Sequence, residues 1–164
     1  MKKITAIILC VFLFSACVTI SSTKKSGSAV KTDAKQDVLR FKSVVLSKYW
    51  SLVGIQTDSV FVDIMPEHGN SGVIRFYENG NLETSSGLNT SLGRWKYLKK
   101  SGEFYRFEVS GIKPTNKIGE NSKATKFDRS FFSALKRTKY LSVAQNIITL
   151  LDENKKPLLK FFAD

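Results

Sequence analysis

The chain has 164 residues, 42% of them apolar and 24% charged, with a formal charge of +12. That length holds one domain with a real core and excludes two, and the apolar content excludes a chain disordered throughout. Twelve phenylalanines, five tyrosines and two tryptophans suit a β-rich core. The excess of bases favours anionic partners or surfaces by long-range attraction and says nothing about fold.

The first seventeen residues, MKKITAIILCVFLFSAC, have the three parts of an export signal. Lys2 and Lys3 form the basic start, Ile4 to Phe14 the apolar stretch, and Ser15-Ala16 the small-residue cleavage region. The apolar run is too short to cross a bilayer as a helix. A cysteine directly after Ser15-Ala16 resembles a bacterial lipobox, in which the cleaved chain begins with a lipidated cysteine. Phe14 stands where the usual pattern has leucine. Cys10 follows Ile8-Leu9 without a small residue and is the poorer candidate; plain secretion is the alternative to lipidation. Removal of residues 1–16 leaves Cys17 as the one cysteine, so the exported domain has no internal disulfide. It also leaves 24 basic residues against 14 acidic, a charge near +10.

Residues 17–37 are expected to be the lipidated Cys17 and a flexible tether, rich in Ser, Thr and Lys and poor in large apolar groups. As a coil, about twenty residues hold a domain roughly 25 Å from the membrane. The domain proper is expected over 38–164. It opens with VLRFKSVVLSKYW, where Val38, Phe41 and Val45 fall at helical spacing. From Tyr49 the pattern turns to β: Tyr49–Gln56, Ser59–Ile64 and VIRFY, the last leading into ENGN. Asn79-Gly80 predicts a hairpin, since both residues tolerate positive φ. TSSGLNTSLGRW (84–95) reads as a polar, glycine-flanked loop. GRWKYL, the turn KKSG and EFYRFEV predict a second hairpin, and residues 111–125 a loop.

TKFDRSFFSALKRTKY then changes period. Phe127, Phe131 and Leu135 recur at i, i+4 and i+8, with Phe132 and Ala134 beside them, so one face of a helix is apolar. Lys136, Arg137 and Lys139 suit the negative end of its dipole. YLSV, IITLLD and PLLKFFA follow as short strands. The expected class is α+β, an antiparallel, curled, barrel-like sheet packed with one main helix.

Little in the chain points to chemistry. His68 is the one histidine, set in a Gly/Pro loop beside Glu67, whereas a metal site needs several ligands; no metal and no cofactor are expected. There is no G-x-S-x-G elbow, no phosphate-loop motif and no dinucleotide fingerprint. Asp58, Asp63, Glu103 and Glu108 flank strands and read as solvated ends, because paired carboxylates act only at a defined separation. Arg94, Lys96, Lys99 and Lys100 interleave with Trp95 and Tyr97. That pattern can bind nucleic acid, which an exported lipoprotein has little reason to do. Anionic lipid or acidic glycan suits such a patch better, and strand lysines also blunt sheet edges.

FYENGNLETSSGLNTSLGRW, from Phe76 to Trp95, resembles the central signature of the META domain, also called the heat-shock HslJ-like family. Phe76, Gly80, Gly87, Asn89, Gly93 and Trp95 fall at matching spacings, and the family's opening Trp-x-Leu is matched by Trp50 and Leu52. FFSALKRTKY and PLLKF match its closing helix and strand, so the resemblance covers roughly residues 48–162. Leu88 stands where many members have cysteine, PTNKIGEN lacks the second cysteine, and Thr84 replaces a small glycine. The resemblance implies antiparallel strands around one helix, frequent export and lipid anchoring, and links to stress tolerance, envelope integrity and, in pathogens, virulence. It implies no catalytic residues.

The expectation is therefore a non-enzymatic envelope lipoprotein, in the outer membrane because Val18 replaces the aspartate that resembles an inner-membrane retention signal. Its partners would be the membrane through its lipid, and an anionic lipid, an acidic glycan or another envelope protein. A surface adhesin for acidic glycans and an envelope-polymer hydrolase are the alternatives. Gly87 and Gly93 are expected to supply positive φ or close backbone approach, Asn89 to bond its own turn, and Trp95 to pack inward.

Overall fold

The computed structural model describes residues 29–46, 48–58, 60–64, 72–119 and 121–163. The signal segment, Cys17, Glu67 and His68 lie outside them. Two helices and nine strands follow in the order α1 (Ala29–Val45), β1 (Trp50–Thr57), β2 (Val60–Asp63), β3 (Val73–Phe76), β4 (Asn81–Ser85), β5 (Thr90–Ser101), β6 (Phe104–Ser110), α2 (Ser122–Arg137), β7 (Tyr140–Ala144), β8 (Ile147–Leu151) and β9 (Pro157–Phe162).

Each strand pairs antiparallel with its neighbour, and β1 joins both β3 and β9, which closes an eight-stranded barrel. β2 stands outside the ring as a hairpin arm on the far half of β1, with Gly54 opposite Asp63 and Thr57 opposite Val60. Eight strands enclose a space just wide enough for side chains to fill. Here Trp50, Ile74, Phe76, Leu82, Phe107, Leu141, Ile148, Leu150 and Phe161 are wholly buried. The antiparallel, curled sheet with a packed helix is thus as expected.

The helices lie where the sequence places them, but the first is longer than expected. α2 presents Phe131, Phe132, Ala134 and Leu135 to the core, as its period predicts, and Phe131 meets Phe161 edge-on at 6.4 Å between centroids. Asn121 caps its start, its side chain accepting from the Ala124 N–H at 2.9 Å, and the Thr138 N–H closes its end on the Leu135 carbonyl. α1 is a second full helix that begins at Ala29, nine residues before the expected domain boundary, so residues 29–37 are helical and not a coiled tether. Its Phe41 ring is fully buried, 5.7, 5.3 and 5.1 Å from those of Trp95, Tyr97 and Tyr105. Val45 is buried too, and its carbonyl accepts from the Trp50 indole N–H at 3.0 Å. Helix α1 therefore sits against the late half of β5, and α2 against β9, β1 and β6.

The expected turn at ENGN is present: the Tyr77 N–H bonds the Asn81 carbonyl at 3.0 Å, so Glu78, Asn79 and Gly80 form the turn, closed by Gly80 N–H to the Tyr77 carbonyl at 3.0 Å. Only Gly80 takes positive φ (82°), as in a type I turn followed by a left-handed residue. β5 runs on through Lys99–Ser101, and Ser101 pairs with Phe104, so Gly102-Glu103 alone form the next turn.

Candidate functional site

The polar run 84–95 is two strand ends and a tight turn, not a loop: Thr84 and Ser85 end β4, and Thr90 begins β5. The turn is closed by Ser86 N–H to the Asn89 carbonyl at 2.9 Å. The Ser86 hydroxyl oxygen accepts from the N–H groups of Leu88 and Asn89 at 3.3 and 3.1 Å. Gly87 has φ 92°, which a glycine adopts without strain. Gly93 has no positive φ; its role is close approach, since a Cβ there would lie 2.9 Å from the Ser110 carbonyl oxygen and against Ile112. Trp95 packs inward and donates to the Tyr77 carbonyl at 3.0 Å. Thr84 is buried with its hydroxyl donating to the Val73 carbonyl at 2.9 Å.

Asn89 does something other than bond its own turn. Its side chain is buried at 3% exposure, and its amide nitrogen donates to the Lys117 carbonyl at 3.1 Å and to Asp128 Oδ2 at 3.0 Å. Its oxygen accepts from the Thr115 hydroxyl at 2.7 Å and the Lys117 N–H at 2.8 Å. All four hydrogen-bonding positions of the amide are in use. The other Asp128 oxygen accepts from the Ser86 hydroxyl. One side chain thus ties the β4–β5 turn, the 111–121 segment and α2 together. Asp128, on the apolar side of α2, was not singled out in the sequence; its signal was its place four residues before Phe132.

The expected basic patch is divided. Facing residues of an antiparallel pair share a face, so the register puts Arg94 opposite Ser110, Lys96 opposite Glu108 and Lys99 opposite Arg106 on the outer wall. A bulge between Tyr97 and Lys99 then shifts the alternation, and Lys100 falls opposite inward-facing Tyr105. There it pairs with Asp37 of α1 at 3.1 Å. Arg94 also borders a shallow groove of about 630 Å³ with Tyr77, Asn81, Glu83 and Leu92. Beside it the guanidinium of Arg75 lies between two rings, 4.4 Å from that of Tyr49 and 4.8 Å from that of Tyr77. The Tyr77 hydroxyl donates to Glu83 at 2.6 Å, and that bond to a carboxylate raises the phenol above its ordinary range.

Asp58, Asp63 and Glu103 lie at strand ends or turns, but Glu108 stands within β6, opposite Lys96. Asp58 and Asp63 are exposed and pair with Lys126 and Lys160 at 3.1 and 3.3 Å. Among the described residues no group of three or more His, Cys, Asp or Glu could hold a metal ion, and no helix is long and apolar enough to cross a membrane.

A closed antiparallel barrel, filled by side chains and buttressed by two helices, is thus the class of domain that this chain forms. The META domain model matches residues 43–164, and the chain belongs to that family. In structure it is similar to a protein from Burkholderia xenovorans solved by NMR, at TM-score 0.56 and 16% identity over 76% of this chain and 87% of that one. A DUF4847 family protein from Bacteroides vulgatus aligns at TM-score 0.49 and 17% identity over 74% of this chain and 96% of that one. No curated protein matches the sequence.

Proposed function

We propose that the protein is a lipid-anchored module of a bacterial cell envelope, and that its META domain binds rather than catalyses. The observation that carries the anchoring is the N-terminal order of Lys2-Lys3, the apolar run Ile4 to Phe14, and Ser15-Ala16 directly before Cys17. A lipid on that cysteine gives the mature chain's one thiol a use, and two or more acyl chains hold a domain stably at a membrane. Val18 in place of an aspartate favours the outer membrane in a two-membrane envelope.

The binding role rests on where the polar groups point. The signature's best-placed polar side chains, Ser86, Asn89 and Asp128, bond one another and the backbone around them, which is what a structural corner requires. The cations, by contrast, face outward. Such a domain fits a role in envelope integrity or stress tolerance. A second reading, an adhesin for acidic glycans, draws on the outer wall of β5–β6, where Lys99 and Arg106 face each other as like charges that an anion would relieve.

Cys17→Ala in the native host tests the anchor. The variant is expected in the soluble fraction of broken cells, with wild type in the membrane pellet. A variant that still pellets as wild type does would end the lipoprotein reading.

A further inference from the structure

Between the 112–119 segment and α2 lies a recess of about 640 Å³, within the range of small-molecule sites. From α2 come Arg129, Ser133, Lys136 and Arg137, which recur at i, i+4, i+7 and i+8 and so share one face. Lys117 faces them from the opposite wall. Among the described residues, none of these four cations takes part in an ion pair. The one carboxylate lining the recess is Asp128, whose two oxygens are already taken by Ser86 and Asn89. Ile118, which is 84% exposed, adds an apolar surface.

We propose that this recess binds an organic phosphate monoester. Four cations against one internally bonded carboxylate call for more than a single negative charge, and a phosphate monoester carries about −1.5 to −2 near pH 7. A carboxylate ligand carries only one. Two of the four are arginines, whose planar forks suit phosphate oxygens, and the Ser133 hydroxyl adds a further donor. The organic part rests on Ile118. Lys117 is held in place in advance, because its backbone N–H and carbonyl are both bonded to the Asn89 side chain, at 2.8 and 3.1 Å. A wall fixed before the ligand arrives loses less freedom on binding. The same chemistry is offered by a soluble sugar or glycerol phosphate and by the headgroup of a phosphatidic acid. The proposal rests on reading the domain as a binding module and is independent of the anchor.

The test uses the full chain, extracted from membranes in a neutral detergent at moderate salt. Phosphorus NMR line broadening follows glycerol 3-phosphate in solution and, separately, phosphatidic acid in mixed micelles. Wild type is compared with Arg129→Gln/Arg137→Gln and with Lys155→Gln/Lys156→Gln, which removes the same charge from the exposed turn between β8 and β9. Saturable binding weakened about tenfold by the α2 pair and less than about twofold by the turn pair is expected. Binding of glycerol 3-phosphate identifies a soluble source; binding confined to micelles identifies a lipid headgroup. Equal losses in the two variants would reduce the effect to general charge and overturn the proposal, as would no saturable binding of either probe. An anchor that failed the Cys17→Ala test would leave these titrations unchanged.

Discussion

Replacing Asn89 by alanine removes four hydrogen bonds at once. Two partners, Thr115 and Lys117, belong to exposed residues and can turn to water, so their loss costs little beyond the net value of a bond, about 1 kcal/mol each at most. Asp128 is different: it lies at 9% exposure, and losing a donor to a buried carboxylate costs about 1–3 kcal/mol. The sum is about 3 kcal/mol, which for a domain of this size lowers Tm by roughly 10 °C. Thermal unfolding followed by far-UV circular dichroism, with urea unfolding beside it, gives the value. Asp128→Asn keeps an oxygen for the Asn89 amide but turns an N–H toward the Ser86 oxygen, which already accepts from the Leu88 and Asn89 N–H groups, and should cost about 1–3 kcal/mol. A shift under about 2 °C for Asn89→Ala would refute the view that this residue is the tie between turn, segment and helix.

Gly93→Ala is expected to cost about 1–3 kcal/mol by forcing a Cβ against Ile112 and the Ser110 carbonyl. Gly102→Ala, at φ 64° in open space, should cost only about 1 kcal/mol of backbone strain; urea midpoints rank the two. Phe41→Ala should cost about 3–5 kcal/mol, since the ring is fully buried among three aromatics; an unchanged midpoint would mean that α1 is not part of the domain. Tyr77 should ionise above the ordinary tyrosine range because Glu83 accepts its hydroxyl bond, and Glu83→Ala should bring it down in an ultraviolet titration. The sign follows from the protonated phenol being favoured in the folded state: its contribution is complete below the ordinary tyrosine pKa and is lost as pH rises through the raised one.

What the sequence showed and what it hid divide by range. The α2 face was legible because Phe127, Phe131 and Leu135 keep the helical period, and the strands because aromatic and branched residues alternate. Barrel closure was not, since it depends on β1 meeting β9, with Leu52 opposite Phe161 across most of the domain. The early start of α1 was hidden by composition: residues 29–37 have the polar content of a linker, and the helix is held by Phe41 and Val45 further on. The division of the basic run was hidden because a bulge cannot be seen in a run of lysines, and one inserted residue turns every later side chain to the other face. The Asn89 tie was half legible. A backbone-holding role for the asparagine followed from the motif, but its partners stand 26 to 39 positions away.

The filled lumen bears on where any ligand goes. A barrel of eight strands can hold one small molecule when its interior residues are small. Here Trp50, Phe76, Phe107 and Phe161 lie fully buried, so recognition moves to the outside, where loops and helix faces differ. The signature asparagine then has two consequences through one set of bonds. It closes the corner, and it fixes Lys117 across from the cations of α2. Asn89→Ala should therefore weaken phosphate binding as well as stability, even at temperatures where the variant is fully folded, because the Lys117 wall is no longer held. Lys117→Ala should weaken binding and leave Tm within about 1–2 °C of wild type, since an exposed lysine contributes little to folding. If Asn89→Ala lost stability yet bound glycerol 3-phosphate as wild type does, the corner and the recess would be separate features, and the positioning role would fall.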